Sequence, residues 1–175
     1  MTGIPGLRGS DHLGITVPDL EEAERFLVDV LGAVPVYTLG AKRADDDWMS
    51  RQLGVHPRAV ITEIRFYRLG NGTNLEVFAY ATPDGQSPPP RNSDIGGHHL
   101  ALYVDDMDAA IAHLRAYDVE IMGDPIASAG AAAGQRWLYF RAPWGMQFEL
   151  VSYPDGKAYE ADSPVILWHP ARPAE

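Results

Sequence analysis

Two histidines and two glutamates stand at matched places in the two halves of this 175-residue sequence. His12 begins a segment in which apolar residues alternate with others, and His99, 87 residues later, begins a second segment of this kind. Glu76 and Glu149 each lie between two apolar neighbours near the end of a half. Neutral imidazole nitrogens and ionised carboxylates are ligands for zinc, nickel, cobalt, manganese or iron. These four side chains therefore predict a site for one divalent metal ion.

The two halves follow one plan of strand, helix and hairpin. Residues 10–17 alternate as a half-buried strand does, with His12 on the face away from the apolar residues. Asp19 then has N-cap chemistry for an amphipathic helix that ends before Gly32. The offset that relates the two histidines also maps Asp19 onto Asp106, where the pattern of a second helix begins. The sequence is therefore read as an internal repeat.

Each half closes with a predicted β-hairpin that carries its glutamate. Turns that contain glycine, at residues 69–72 and 142–145, precede the strands of Glu76 and Glu149. A period of two places both carboxylates opposite their apolar neighbours. Sheets covered by helices on one side are expected to turn their other faces toward a common cleft, where the four side chains would meet. The alternative is a hydrogen-bonded polar cluster without metal.

The repeat predicts an α+β fold of two paired βαβββ modules that together form a single domain over residues 1–175. Module one is placed at residues 10–81, and a linker rich in proline and glycine at residues 82–97. Module two is placed at residues 98–153, and residues 154–175 form a C-terminal tail. The tail is expected to pack on the core or on a second subunit.

Four aromatic side chains are candidates for contact with a substrate. The first half is the longer one, and its extra length, residues 40–59, contains Trp48 on a short predicted helix. Tyr103, Trp137 and Tyr139 are assigned to the face of the strands that points toward the cleft. Aromatic residues on strands also serve packing, so both explanations stay open.

Composition excludes several classes of partner. A formal net charge of −10, with no run of lysine and arginine, is unfavourable for binding nucleic acid. The chain has no cysteine, which rules out disulfides and thiolate metal ligands. No apolar stretch approaches the ~20 residues of a membrane span, and the N-terminal residues lack the pattern of a secretory leader. A soluble cytoplasmic protein with a small-molecule substrate is expected.

Three segments resemble a known family, the vicinal oxygen chelate superfamily, and the resemblance covers residues 10–153. They are Asp11-His-Leu-Gly-Ile-Thr-Val-Pro-Asp-Leu20, Gly97-His-His-Leu-Ala-Leu-Tyr-Val-Asp-Asp106 and Phe148-Glu-Leu-Val151. This superfamily includes glyoxalases, methylmalonyl-CoA epimerases, extradiol dioxygenases and fosfomycin or bleomycin resistance proteins. The resemblance implies paired modules in a cupped, open barrel-like sheet with the helices outside, and often a homodimer.

The resemblance also implies a metal site and a reaction. The ligand positions carried over are His12, Glu76, His99 and Glu149. The metal would chelate neighbouring oxygens of a small substrate, for proton-transfer isomerase or lyase chemistry of the glyoxalase and epimerase type through an enolate-like intermediate. Glu149 is the first candidate for the catalytic base and Glu76 the second.

Two alternatives belong to the same superfamily. An extradiol-type ring-cleaving dioxygenase would use ferrous iron held by His12, His99 and Glu149. In that alternative Glu76 is not a metal ligand, so its presence is not explained. The second alternative is a non-catalytic binder of a small molecule such as an antibiotic. Such binders typically lack the metal ligands, and this chain retains all four candidates.

Overall fold

The computed structural model describes residues 3–174 and divides into two compact units, the first ending at Gln86 and the second beginning at Ser87. Each unit contains the βαβββ order of elements, which confirms the prediction of two such modules in an α+β fold. The division falls inside the predicted linker, residues 82–97. The single-domain organisation and its exact bounds stay predictions. No helix within residues 3–174 is long and apolar enough to cross a bilayer.

The first unit is built on one four-stranded mixed sheet. Its elements are β1 (His12–Thr16), α1 (Leu20–Arg25), β2 (Val34–Leu39), α2 (Trp48–Leu53), β3 (Val60–Arg68) and β4 (Asn74–Ala81). The strand order is β1-β4-β3-β2, in which β1 and β4 are parallel while β4 with β3 and β3 with β2 are antiparallel. The predicted hairpin around Glu76 is thus the pair β3 and β4.

Alternation along β1 and β4 separates a buried face from a polar face, as predicted. Ile15 and Val77, which are register partners, are buried together with Ala23 of α1. Glu76 is one residue from Val77 and His12 is three residues from Ile15, and both odd separations place these side chains on the opposite face. The sheet therefore buries one side against α1 and presents the candidate ligands on the other.

The helix after β1 differs from the prediction in its second half. Asp19 caps α1 as expected, accepting hydrogen bonds from the N–H groups of Glu21 and Glu22. Residues Phe26–Val30, expected as α-helix, instead form a π-helical turn, in which the Leu31 N–H donates to the Phe26 carbonyl at 3.1 Å. Both Phe26 and Leu27, in the widened turn, are buried.

The second unit repeats the plan of the first. Its elements are β5 (Leu100–Tyr103), α3 (Met107–Ala116), β6 (Glu120–Ala127), β7 (Arg136–Arg141) and β8 (Gln147–Ser152). The strand order is β5-β8-β7-β6, with β5 parallel to β8 and the other pairs antiparallel. Asp106 caps α3 through the N–H groups of Asp108 and Ala109, as predicted. His99 directly precedes β5 rather than opening it.

An ion cluster ties α1 to β3 on the buried side of the first sheet. The Arg65 side chain is 16% exposed and pairs with Glu21, with Glu63 and, at 2.7 Å, with Glu24. The Tyr67 hydroxyl also donates to Glu24, at 2.8 Å. These hydrogen bonds keep the pKa of Glu24 below its usual 4.5, the tyrosine being the largest cause.

The cluster predicts an acid-sensitive contribution to stability. Glu24→Gln is expected to lower the melting temperature by about 3 °C near neutral pH, because the charged partner of Tyr67 and Arg65 is lost. A lowered folded-state pKa gives stability that is present above 4.5 and lost as pH falls through the folded-state value. Thermal unfolding at several pH values should therefore show that the difference in melting temperature between the wild type and Glu24→Gln becomes smaller at acidic pH.

Glu22→Gln is the matched control, since Glu22 lies on the same helix and forms no ion pair within residues 3–174. This variant should follow the wild type at every pH. A gap between wild type and Glu24→Gln that stays constant down to strongly acidic pH would contradict the assignment.

Candidate active site

The first sheet brings together the two candidate ligands of the first unit. His12 Nε2 lies 3.1 Å from Glu76 Oε2. The contact follows from the parallel pairing of β1 with β4, in which Gly14 is the register partner of Glu76. A Cβ at Gly14 would make only an ordinary van der Waals contact with Glu76 Oε2, at 3.9 Å. The His12 side chain is 41% exposed and that of Glu76 is 18% exposed.

Asp11 is a neighbour of the site that the sequence reasoning missed. Its Oδ2 lies 2.8 Å from His12 Nδ1, and this hydrogen bond is the largest cause of a raised His12 pKa. A carboxylate on one ring nitrogen fixes the imidazole tautomer and leaves the other nitrogen for a ligand. Adjacency to His12 was the available signal. The repeat concealed it, because His98 occupies the equivalent position in the second half.

The second sheet forms the matching pair. His99 Nε2 lies 2.9 Å from Glu149 Oε2. Glu149 is 9% exposed, and this burial raises the pKa of its carboxyl against the opposing effect of His99. The neighbouring His98 does not join this pair, because its Nδ1 lies 3.0 Å from the Gly96 carbonyl.

The donor geometry of each pair suits two ligands of one ion. Two donor atoms bound at about 2.1 Å to one metal ion and at a right angle lie roughly 3.0 Å apart. The nitrogen-to-oxygen separations of 3.1 Å and 2.9 Å match that value. They also match a hydrogen bond between a histidine and a carboxylate. Neither unit, within residues 3–174, adds a third histidine, aspartate or glutamate in a metal-ligand cluster. The four-ligand site stays a prediction.

Two of the four predicted substrate residues lie beside the second pair. Tyr139 is the register partner of Glu149, and its ring meets His99 edge to face at 5.1 Å between centroids. Trp137 packs on Tyr139 at 5.2 Å. Burial, then the Glu149 charge, raises the pKa of Tyr139, so its hydroxyl remains a proton donor for hydrogen bonds at neutral pH.

The other two predicted substrate residues have packing partners of their own. Trp48 packs against the cluster of Met49, Ile61 and Ile64, together with Tyr80 from the Glu76 strand. The extra loop of the first half thus covers part of the face that carries Glu76.

Tyr103 contacts Tyr153 and His169, with centroid distances of 5.0 Å and 4.4 Å. His169 belongs to the C-terminal tail, and nothing in its local sequence pointed to the sheet.

Aromatic rings also border the first pair, and sequence reasoning did not select them. Phe66 is the register partner of Glu76 and meets His12 edge to face at 6.4 Å. Tyr37 stacks on Phe66 at 4.2 Å. Tyr37 on β2 and Phe66 on β3 lie on the same polar face as Glu76. Pairing the residues of neighbouring strands, starting from Glu76, would have identified them.

Comparison with known proteins places this chain in a family. The model for the Glyoxalase/Bleomycin resistance protein/Dioxygenase superfamily matches residues 11–139. A 2-epi-5-epi-valiolone epimerase from Actinomyces sp. is 48% identical over 170 residues, which are 96% of this chain and 92% of the relative.

Solved structures share the fold. A glyoxalase family protein from Bacillus cereus has a TM-score of 0.65 at 18% identity, over 86% of this chain and 98% of that chain. The fosfomycin resistance protein FosX from Listeria monocytogenes, complexed with Mn(II) and sulfate, has a TM-score of 0.54 at 20% identity, over 86% of this chain and 93% of that one. The chain belongs to the Glyoxalase/Bleomycin resistance protein/Dioxygenase superfamily, which is the vicinal oxygen chelate superfamily.

Proposed function

We propose that this protein is a divalent-metal-dependent epimerase that inverts a carbon next to the carbonyl of a small polyhydroxylated ketone. The observation that carries the proposal is the recurrence of one histidine–glutamate contact at equivalent positions of both units. The epimerase from Actinomyces sp. supports the reaction class and the ketone, because nearly the whole chain is similar to it.

The proposed metal ligands are His12, Glu76, His99 and Glu149. Two imidazole nitrogens and two carboxylates fit zinc, nickel, cobalt, manganese or iron, and the separation of the donor atoms in each pair fits neighbouring ligands. A divalent ion bound there would withdraw charge from the substrate oxygens and stabilise an enolate. Asp11 holds His12 by Nδ1, which leaves Nε2 as its ligand atom.

Proton transfer is assigned to the two carboxylates, with Glu149 as the first candidate for the base. A base acts best when its pKa approaches the working pH, and burial raises the pKa of Glu149. Inversion also requires that a proton return to the opposite side of the carbon. Glu76 is the second carboxylate available for that step. Tyr139, beside both His99 and Glu149, is placed to donate a hydrogen bond to a substrate oxygen.

The proposal is tested by proton exchange in D2O with 2-epi-5-epi-valiolone as the substrate. Native protein is expected to form the epimer and to introduce deuterium at the inverted carbon, as followed by proton NMR. Treatment with a chelator followed by desalting should remove the activity, and one divalent metal of the proposed set should restore it.

Two outcomes would redirect the assignment. Metal-dependent oxygen consumption with a catechol and ferrous iron, without exchange on the ketone, would favour the dioxygenase alternative. Absence of bound metal, with none taken up on reconstitution, would overturn the metal-dependent reaction and favour a binding protein. The homodimer and the cytoplasmic location stay predictions.

A further inference from the structure

The C-terminal tail is fastened to the second unit at two places. Near its start, the Ala158 N–H donates to the Ala133 carbonyl at 2.9 Å. Gly134 lies alongside at φ +101°, where a Cβ would stand only 2.5 Å from the Gly156 carbonyl oxygen. Only glycine permits this close approach of two backbones. Near its end, His169 is 9% exposed and packs between two tyrosines.

Those two tyrosines belong to the face of the sheet that carries the candidate ligands. Tyr103, the last residue of β5, follows His99 at even spacing, and Tyr153, directly after β8, follows Glu149 at even spacing. His169 contacts Tyr103 and Tyr153 with centroid distances of 4.4 Å and 4.9 Å. The tail therefore covers one end of the face on which Glu149 lies.

The tail brings a lysine to this face. The sequence contains only two lysines, Lys42 and Lys157, against 24 acidic residues. Lys157 Nζ lies 4.0 Å above the centre of the Tyr153 ring, and its positive charge opposes the raised pKa of Glu149. Within residues 3–174, Lys157 Nζ forms no salt bridge and donates no hydrogen bond to a protein group. Its three donors are available to a ligand.

The first unit has a matching arrangement. Lys42 Nζ lies 3.9 Å above the centre of the Trp48 ring. Trp48 belongs to the extra segment that packs with Tyr80 on the Glu76 face. Tyr80 and Tyr153 stand at the same distance in sequence from their glutamates. In each unit, a lysine from a segment outside the repeat thus lies above an aromatic ring, which is Tyr153 in the second unit and Trp48 of the extra segment itself in the first.

We propose that residues 154–172 form a wall of the substrate site and that Lys157 binds a hydroxyl or carbonyl oxygen of the substrate away from the inverted carbon. The inference rests on the proposed function and specifies how that site recognises its substrate. An ammonium group over an aromatic ring is held in place without neutralisation, so it keeps its charge for the ligand. A polyhydroxylated ketone supplies several oxygen acceptors for it.

Lys157→Met is the test, because methionine keeps the length and apolar contact of the side chain but removes the ammonium. For epimerisation of 2-epi-5-epi-valiolone, we expect KM to rise about tenfold, because one charged hydrogen bond to the substrate is lost. The kcat should change less than threefold. A purely electrostatic effect on Glu149 would instead change kcat and its pH dependence and leave KM near the wild-type value. Arg115→Met, which removes one positive charge from the exposed side of α3, should match the wild type. An unchanged KM in Lys157→Met overturns the inference.

A second measurement does not require turnover. Reductive methylation with carbon-13 formaldehyde keeps the positive charge of both lysines and of the N-terminal amine, and the NMR signal that Lys157→Arg removes is assigned to Lys157. Titration with the same ketone should shift the Lys157 signal to saturation. If native protein exchanges no proton, the proposed function fails, while this titration still decides the role of the lysine. If the Lys157 signal does not shift at ketone concentrations up to the millimolar range, the proposal that the tail lines the substrate site is wrong.

Discussion

Glu149→Gln is expected to lower kcat for epimerisation on the order of a thousandfold. Glutamine keeps the size of the side chain and can still accept a hydrogen bond, but it cannot take a proton at neutral pH. Glu149 is buried, with Oε2 2.9 Å from His99 Nε2, so solvent cannot substitute efficiently for the missing base. Deuterium exchange at the inverted carbon, measured by NMR, reports this step directly. The variant should still fold, because no buried charge is created.

The comparison with Glu76→Gln separates the roles of the two carboxylates. If Glu149 removes the proton and Glu76 returns one, Glu76→Gln should slow inversion more than it slows exchange. Glu22→Gln, on α1 and outside the proposed ligand set, is the control and should behave as the wild type. A Glu149→Gln variant that retains more than a tenth of the wild-type kcat would rule out Glu149 as the base.

His99→Ala is expected to abolish stoichiometric metal binding together with activity. The substitution removes one of the four proposed ligands and leaves Glu149 buried without its histidine partner. Removing one such ligand typically weakens a site far more than removing an outer neighbour, for which the loss is about 10- to 100-fold. Metal content of protein purified without chelator, followed by isothermal titration with zinc, nickel, cobalt and manganese, gives the readout.

His98→Ala is the matched control because it removes the same group one residue away. The His98 ring is bonded to the Gly96 carbonyl rather than to Glu149, so this variant should retain metal and activity. Equal metal loss in both variants would indicate a general disturbance of the segment before β5. Full retention of metal in His99→Ala would remove this histidine from the ligand set and favour the hydrogen-bonded pair without metal.

The sequence by itself determined the repeated units and the faces of their strands. Alternation around His12 assigns its side chain to the exposed face of β1, and the structure agrees. Glu149 was assigned in the same way and contacts His99, although it is buried together with Phe148 and Leu150. Asp19 and Asp106 mark the helix starts through cap chemistry, which is also confirmed. These features depend on residues that are close together in the sequence, so the alternation of apolar residues and the capping residues can be recognised without the structure. The internal repeat strengthens the assignment, because the same pattern of strand and helix occurs twice.

Other features were decided only by tertiary structure. Arg65 finds Glu24 across 41 residues of sequence, and the Tyr103 ring meets His169 from the tail, although no periodic pattern connects the members of either pair. The π-helical turn at Phe26–Val30 likewise reflects how the helix packs its apolar side rather than the propensity of those residues. Contacts between distant segments depend on which surfaces meet after folding. Local periodicity therefore identifies the candidate ligands, whereas the tail and its lysine are placed only by the folded chain.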